Sequence, residues 1–107
     1  MKLSEHEKKI LEQLVAKLYS DFKAEKVILY GSAARGNMTE ESDIDLLVVL
    51  PDSNWQIEKS ISHLCFDAQL ECGRVFATIC ITQQEMERSR FASTLFAHNL
   101  AEEGSVL

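Results

Sequence analysis

The residues best suited to do chemistry stand close together near the middle of the chain. Gly31-Ser32 is followed, after ten intervening residues, by Asp43-Ile44-Asp45. The second acid opens an apolar run, Leu46-Leu47-Val48-Val49-Leu50. Strand side chains alternate with period two, so Asp43 and Asp45 are expected on one face of a strand. Two carboxylates held together repel each other, and near a core they are costly. A divalent cation removes that cost, and hard oxygen ligands suit Mg²⁺. A Gly-Ser turn upstream can offer backbone N–H groups to phosphate oxygens. Metal-binding acids beside a phosphate cradle point to phosphoryl or nucleotidyl transfer.

The elements that must hold these residues can be read on either side. Val27-Ile28-Leu29-Tyr30 is a short strand ending at Gly31, and its end delivers the Gly-Ser turn. Ser32-Ala33-Ala34-Arg35 starts a short helix whose N-terminal dipole favours phosphate. Gly36 to Glu41 is polar loop, and a second strand over Asp43–Leu50, apolar on both sides, is expected to be central and covered on both faces. Pro51-Asp52-Ser53-Asn54 ends it.

Upstream, Ser4-Glu5-His6-Glu7 is a capping box. Leu3, Ile10, Leu11, Leu14, Val15 and Leu18 then recur at helical spacing, predicting a helix from about Ser4 to Phe22 with Lys8, Glu12 and Lys17 on its wet side. Downstream, Trp55, Ile57, Ile61, Leu64, Cys65 and Ala68 predict a helix over about Asn54–Glu71, with Trp55 packing at its start. Gly73 breaks it, and Val75–Ile81 is the third strand. Thr82-Gln83-Gln84-Glu85 is a second capping box, opening a short helix to about Arg88. A polar join over Arg90–Thr94 leads to a last helix carrying Leu95, Phe96, Asn99 and Leu100, with Gly104 as its C′ residue. Tyr30 is expected in the core, and His98 as a packing or surface residue. Few strands alternating with helices on 107 residues fit one domain over 1–107, an α+β (α/β two-layer) arrangement with helices packed on a small mixed sheet.

The pattern of Gly-Ser, ten residues and Asp-x-Asp, standing here as GSAARGNMTEESDIDLLVVL over residues 31–50, resembles the signature of the polymerase-β-like nucleotidyltransferases. It is most similar to the subgroup of minimal nucleotidyltransferases. The resemblance implies the polymerase-β-like nucleotidyltransferase fold over most of the chain. It also implies Mg²⁺ held by Asp43 and Asp45, with Gly31 and Ser32 on the triphosphate of a nucleotide, most simply ATP. Arg35 and Ser42 match motif positions near the site, as nucleotide-binding candidates. The implied reaction is attack of a hydroxyl on the α-phosphate, moving AMP to an acceptor and releasing pyrophosphate. Members of this superfamily usually carry a third catalytic carboxylate on a later strand, yet Val75–Ile81 contains no acid. Glu71 is the nearest candidate, and Asp67 stands further back on the preceding helix. Minimal members are often paired with a separately encoded, helical HEPN-type protein, some pairs acting as toxin and antitoxin. The resemblance therefore implies either a transferase acting on such a partner or an antitoxin-like subunit that mainly binds it. A homodimer is the other assembly the resemblance allows.

Charge and cysteine content narrow the field further. The net charge is −6 and the only adjacent basic pair is Lys8-Lys9, so nucleic acid, gripped through its phosphates by basic surfaces, is not expected as a partner. Cys65, Cys72 and Cys80 are odd in number with no C-x-x-C spacing, which predicts reduced thiols and a cytoplasmic protein rather than disulfides or a zinc site with His63. No apolar run approaches a membrane span, and the first residues lack the apolar core of a signal peptide.

Overall fold

The computed structural model describes residues 3–39, 41–88 and 94–107. Its elements run α1 (Glu5–Asp21), β1 (Lys26–Tyr30), α2 (Gly31–Arg35), β2 (Ile44–Leu50), α3 (Trp55–Cys72), β3 (Phe76–Thr82), α4 (Gln83–Glu87), α5 (Leu95–Glu103) and β4 (Ser105–Val106). The strands form one mixed sheet in the order β3-β2-β1-β4. β1 pairs antiparallel with β2 and with β4, while β2 and β3 run parallel. A parallel pair needs a long crossover, which α3 supplies.

Alternation along β2 divides the core between the two faces of the sheet. Ile44, Leu46, Val48 and Leu50 point toward α1 and α3, where they meet Leu11, Leu14, Leu18, Ile61 and Cys65. Leu47 and Val49 point the other way, against Ile28, Ile81 and Leu100 of α5. In β2 every residue except Asp45 is buried. Burying a Leu, Ile or Val side chain contributes about 1.5–3 kcal/mol, so β2 anchors both layers and its register is fixed. A one-residue slip would turn Asp45 into the α1–α3 layer and expose the apolar set.

Both expected capping boxes form. Ser4 Oγ accepts from Glu7 N at 3.1 Å while Glu7 Oε1 accepts from Ser4 N at 2.9 Å. Thr82 and Glu85 repeat the exchange at the start of α4. Asn54 caps α3, accepting from Ile57 N at 3.0 Å, and Gly73 closes it in the left-handed region at φ 77°.

Two expectations need correction. Trp55 does not pack at the start of α3 but is 69% exposed, with the Lys59 ammonium 6.0 Å from its ring centroid. The buried stripe of α3 is Ile61, Cys65 and Ala68, and six residues before Ile61 at 3.6 per turn lies about 120° away from it. Gly104 does not close α5 in the left-handed region. It is extended, with φ −71°, and a Cβ there would meet Leu100 O at 2.6 Å and Ile28 Cγ2 at 2.8 Å. Close approach, not φ, demands glycine at this position. It also lets the chain turn directly into β4, a two-residue strand that sequence periodicity did not register. Of the join expected over Arg90–Thr94, only Thr94 lies among the described residues, and it caps α5 through Ala97 N at 3.0 Å. His98 is exposed, 3.3 Å from Glu102.

Candidate nucleotide and metal site

The tight turn from β1 into α2 brings Gly31 against Asp45. Tyr30 is the cross-strand partner of Asp45 in the antiparallel β1–β2 pair. The chain then reverses at Gly31, whose φ of 72° belongs to the left-handed region. A Cβ on Gly31 would overlap Asp45 Oδ2. Glycine is therefore required twice here, by backbone angle and by the carboxylate over it. Gly36 ends α2, also left-handed, with φ 78°, but nothing lies within 4 Å of where its Cβ would be.

Asp43 stands just before β2 and Asp45 within it, so the strand begins one residue later than expected. Asp45 is half-buried on the face of Leu47 and Val49, and Asp43 is exposed. Burial pushes the Asp45 carboxyl above its usual range. The charge of Asp43 adds to that, and the Arg35 guanidinium opposes it. Burial likewise raises the Tyr30 hydroxyl, reinforced by Asp45. Two carboxylates that repel each other in a partly desolvated position, with a single guanidinium offsetting them, have the donor chemistry a hard divalent cation satisfies.

Arg35 extends from the last turn of α2 to Glu103 at the end of α5, 3.3 Å away. Tyr30, Gly31, Arg35, Phe96, Asn99 and Glu103 line a cleft of about 220 Å³ that reaches Asp45 through Gly31. Phe96 meets Tyr30 edge to face, ring centroids 5.3 Å apart. Phe96, Asn99 and Glu103 were not legible as cleft residues from sequence, because only the tertiary path of α5 carries them there. Ser42 closes the preceding loop, its Oγ accepting from Thr39 N at 2.8 Å.

Glu71 does not join this group. It lies in the last turn of α3 and borders a small recess with Ile10, Gln13, Lys17 and Asp67 between α1 and α3. Those helices cover the face of Ile44, Leu46 and Val48, so the sheet itself separates Glu71 and Asp67 from Asp45. On the correct face, β3 presents Ala77 directly beside Asp45. Among the described residues, no three His, Cys, Asp or Glu side chains converge on a common point. Trp55 follows the far end of β2, about 17 Å of strand away from Asp45. The cysteines are free. Burial raises the Cys65 thiol against the opposing Thr78 hydroxyl, and Cys80 is pushed up to about 11 by burial, Glu58 and Cys65. No helix among the described residues is long and apolar enough to cross a membrane.

Comparison with known proteins identifies the family and the fold. The family described as nucleotidyltransferase domain matches residues 7–99. A Methanocaldococcus jannaschii protein, MJ0604, provisionally named a protein adenylyltransferase, is 36% identical over 105 residues, covering 95% of this chain and 98% of that protein. Among solved structures, a toxin–antitoxin crystallised with AMP-PNP aligns with a TM-score of 0.58 and 23% identity, over 89% of this chain and 70% of its own. A provisionally assigned nucleotidyltransferase from Sulfolobus solfataricus aligns with a TM-score of 0.58 and 21% identity, over 99% of this chain and 89% of its own. The solved structures bear on the fold, which they share.

Proposed function

The chain belongs to the nucleotidyltransferase domain family, and we propose that it moves AMP from ATP to a hydroxyl on a protein. The observation that carries this reading is the half-buried Asp45, repelled by Asp43 and backed against Gly31. Asp43 and Asp45 are the residues that would hold Mg²⁺. When bound, that ion would screen the triphosphate's charge and stabilise the departing pyrophosphate. Gly31 and Ser32 would contact the β- and γ-phosphates, and Arg35 would offset charge that builds as the reaction proceeds. Most of the rate would come from positioning and electrostatics.

In this reaction the acceptor oxygen forms a bond to the α-phosphorus. The bond from that phosphorus to the bridging β-phosphate oxygen breaks, and pyrophosphate leaves with the electron pair. The hydroxyl proton passes to solvent as the new bond forms; β3 offers Ala77, not an acid, beside Asp45. A protein acceptor is favoured by the likeness to MJ0604 and by the toxin–antitoxin fold relative. A helical HEPN-type partner bearing a tyrosine is the acceptor proposed.

A second reading has its own observation. Ala77 in place of a third acid favours a subunit that binds its helical partner with little or no turnover. ATP labelled at the α-phosphate and incubated with the protein, Mg²⁺ and a cell extract separates the two. The transferase reading expects label on a protein band, none from γ-labelled ATP, and loss of both label and pyrophosphate release in Asp43→Ala/Asp45→Ala. Absence of α-label transfer by a variant-sensitive route favours the binding subunit.

A further inference from the structure

Across the sheet from the cleft, one arginine grips the segment that carries Asp43. Arg74 stands in the turn from α3 to β3, its side chain only 10% exposed. Its Nε donates to Glu7 Oε2 at 2.5 Å. Its Nη1 donates to two carbonyls, Thr39 O at 3.0 Å and Ser42 O at 2.7 Å. Glu7 is equally enclosed, 13% exposed, and its other oxygen is committed to the α1 capping box. Just beyond it the clamp continues, as Ile44 N donates to Val75 O at 2.9 Å. Asp43 is thus bracketed: the carbonyl before it is held by Arg74, and the amide after it by Val75.

We propose that Arg74, seated on Glu7, is the positioning residue for Asp43. It holds the carbonyls of Thr39 and Ser42 so that Asp43 meets the cation and nucleotide together with Asp45. This rests on the functional reading above. Arg74 faces the α1 side and touches no part of the cleft, so its action is through the backbone of Ser42. Arginine suits the task because its planar fork reaches one carboxylate and two carbonyls at fixed angles, which a lysine ammonium cannot reproduce together. Groups that orient a metal's ligands typically change metal affinity or activity by 10–100-fold when removed.

The test compares wild type, Arg74→Lys and Arg74→Ala, each with and without Asp43→Ala. Three readouts are taken: ATP binding by calorimetry with and without Mg²⁺, amide exchange at Thr39 and Ser42, and melting temperature. Lysine can restore the ion pair with Glu7 but not both carbonyl bonds. Arg74→Lys is therefore expected to hold most of the melting temperature while exchange at Ser42 quickens and the Mg²⁺-dependent part of ATP binding weakens about tenfold. Binding without Mg²⁺ should be unchanged, and in the Asp43→Ala background Arg74→Lys should cost nothing more.

Unchanged Mg²⁺ dependence in Arg74→Lys, or an equal loss in both backgrounds, overturns the inference alone. A parallel fall of melting temperature and of binding with and without Mg²⁺ reduces Arg74 to a structural residue and also overturns it. Absence of Mg²⁺-dependent binding in the wild type overturns the functional reading, and this inference with it. Arg74→Lys keeps the test open should Arg74→Ala fail to fold.

Discussion

Gly31 lies directly beneath the carboxylate of Asp45, so closely that a methyl group on its Cα would overlap Oδ2. The turn that delivers the Gly-Ser pair and the strand that delivers the acid are in this way built around each other. Gly36, five residues on, has the same left-handed backbone but open space where its Cβ would be. Gly36→Ala should therefore cost about 1–2 kcal/mol of backbone strain and leave ATP binding intact. Gly31→Ala carries the same strain and also displaces Asp45, so it should lose more stability and weaken Mg²⁺-dependent ATP binding. Denaturant unfolding and calorimetry on the two variants check the contrast.

Asp45 is held at a cost to the folded protein. Its carboxyl is raised by burial and by Asp43, so its charged form is disfavoured by folding. That contribution to stability is present below the ordinary aspartate range and is lost as pH rises through the raised value. Asp45→Asn escapes the loss. Its melting temperature should exceed the wild type's at neutral pH, and the gap should close as pH falls toward about 4. The same variant should lose about tenfold or more of Mg²⁺-dependent ATP affinity. Thermal melts across pH, with and without MgATP, read both effects.

The Glu7–Arg74 pair has the opposite sign. Glu7 is lowered from its ordinary value near 4.5, chiefly by the hydrogen bond from Arg74, with burial opposing. Its contribution is present above that ordinary value and is lost as pH falls through the lowered one. Wild type should thus lose stability more steeply than Glu7→Gln as pH drops below about 4.5. At neutral pH Glu7→Gln should be the less stable protein. Urea midpoints at neutral and acidic pH measure this directly.

Arg35 is engaged by Glu103, and both side chains are nearly half-exposed. An ion pair this wet contributes under about 1 kcal/mol, so Glu103→Gln should leave the melting temperature almost unchanged. It frees Arg35 for the triphosphate and should tighten ATP binding. Arg35→Ala should weaken it about tenfold or more, since hydrogen bonds to charged groups contribute about 1.5–3 kcal/mol. Calorimetry on both variants decides whether Glu103 competes for this arginine.

Features written locally were legible in the sequence, and features assembled at long range were not. The capping boxes at Ser4 and Thr82, the turn at Gly31 and the doubly covered β2 all follow from residue types within a few positions of one another. Helix and strand ends fell within a residue or two of expectation. β4 is two residues long and holds its place only by pairing with Ile28 and Leu29, so no periodicity could announce it. Arg74 carries no local signal of its role, because only the fold brings Glu7 and Ser42, 67 and 32 residues away, to its guanidinium. Glu71 failed for a related reason. Nearness in sequence to β3 said nothing about which side of the sheet the end of α3 would occupy.

The central claim is that Asp43 and Asp45 hold a cation for a nucleotide seated on Gly31 and Ser32. Titration of ATP by calorimetry, with and without Mg²⁺, on wild type and on Asp43→Ala/Asp45→Ala tests it most directly. The account expects Mg²⁺-dependent binding in the wild type and its loss in the folded double variant. Equal binding by both proteins, or no binding by the wild type, would contradict it.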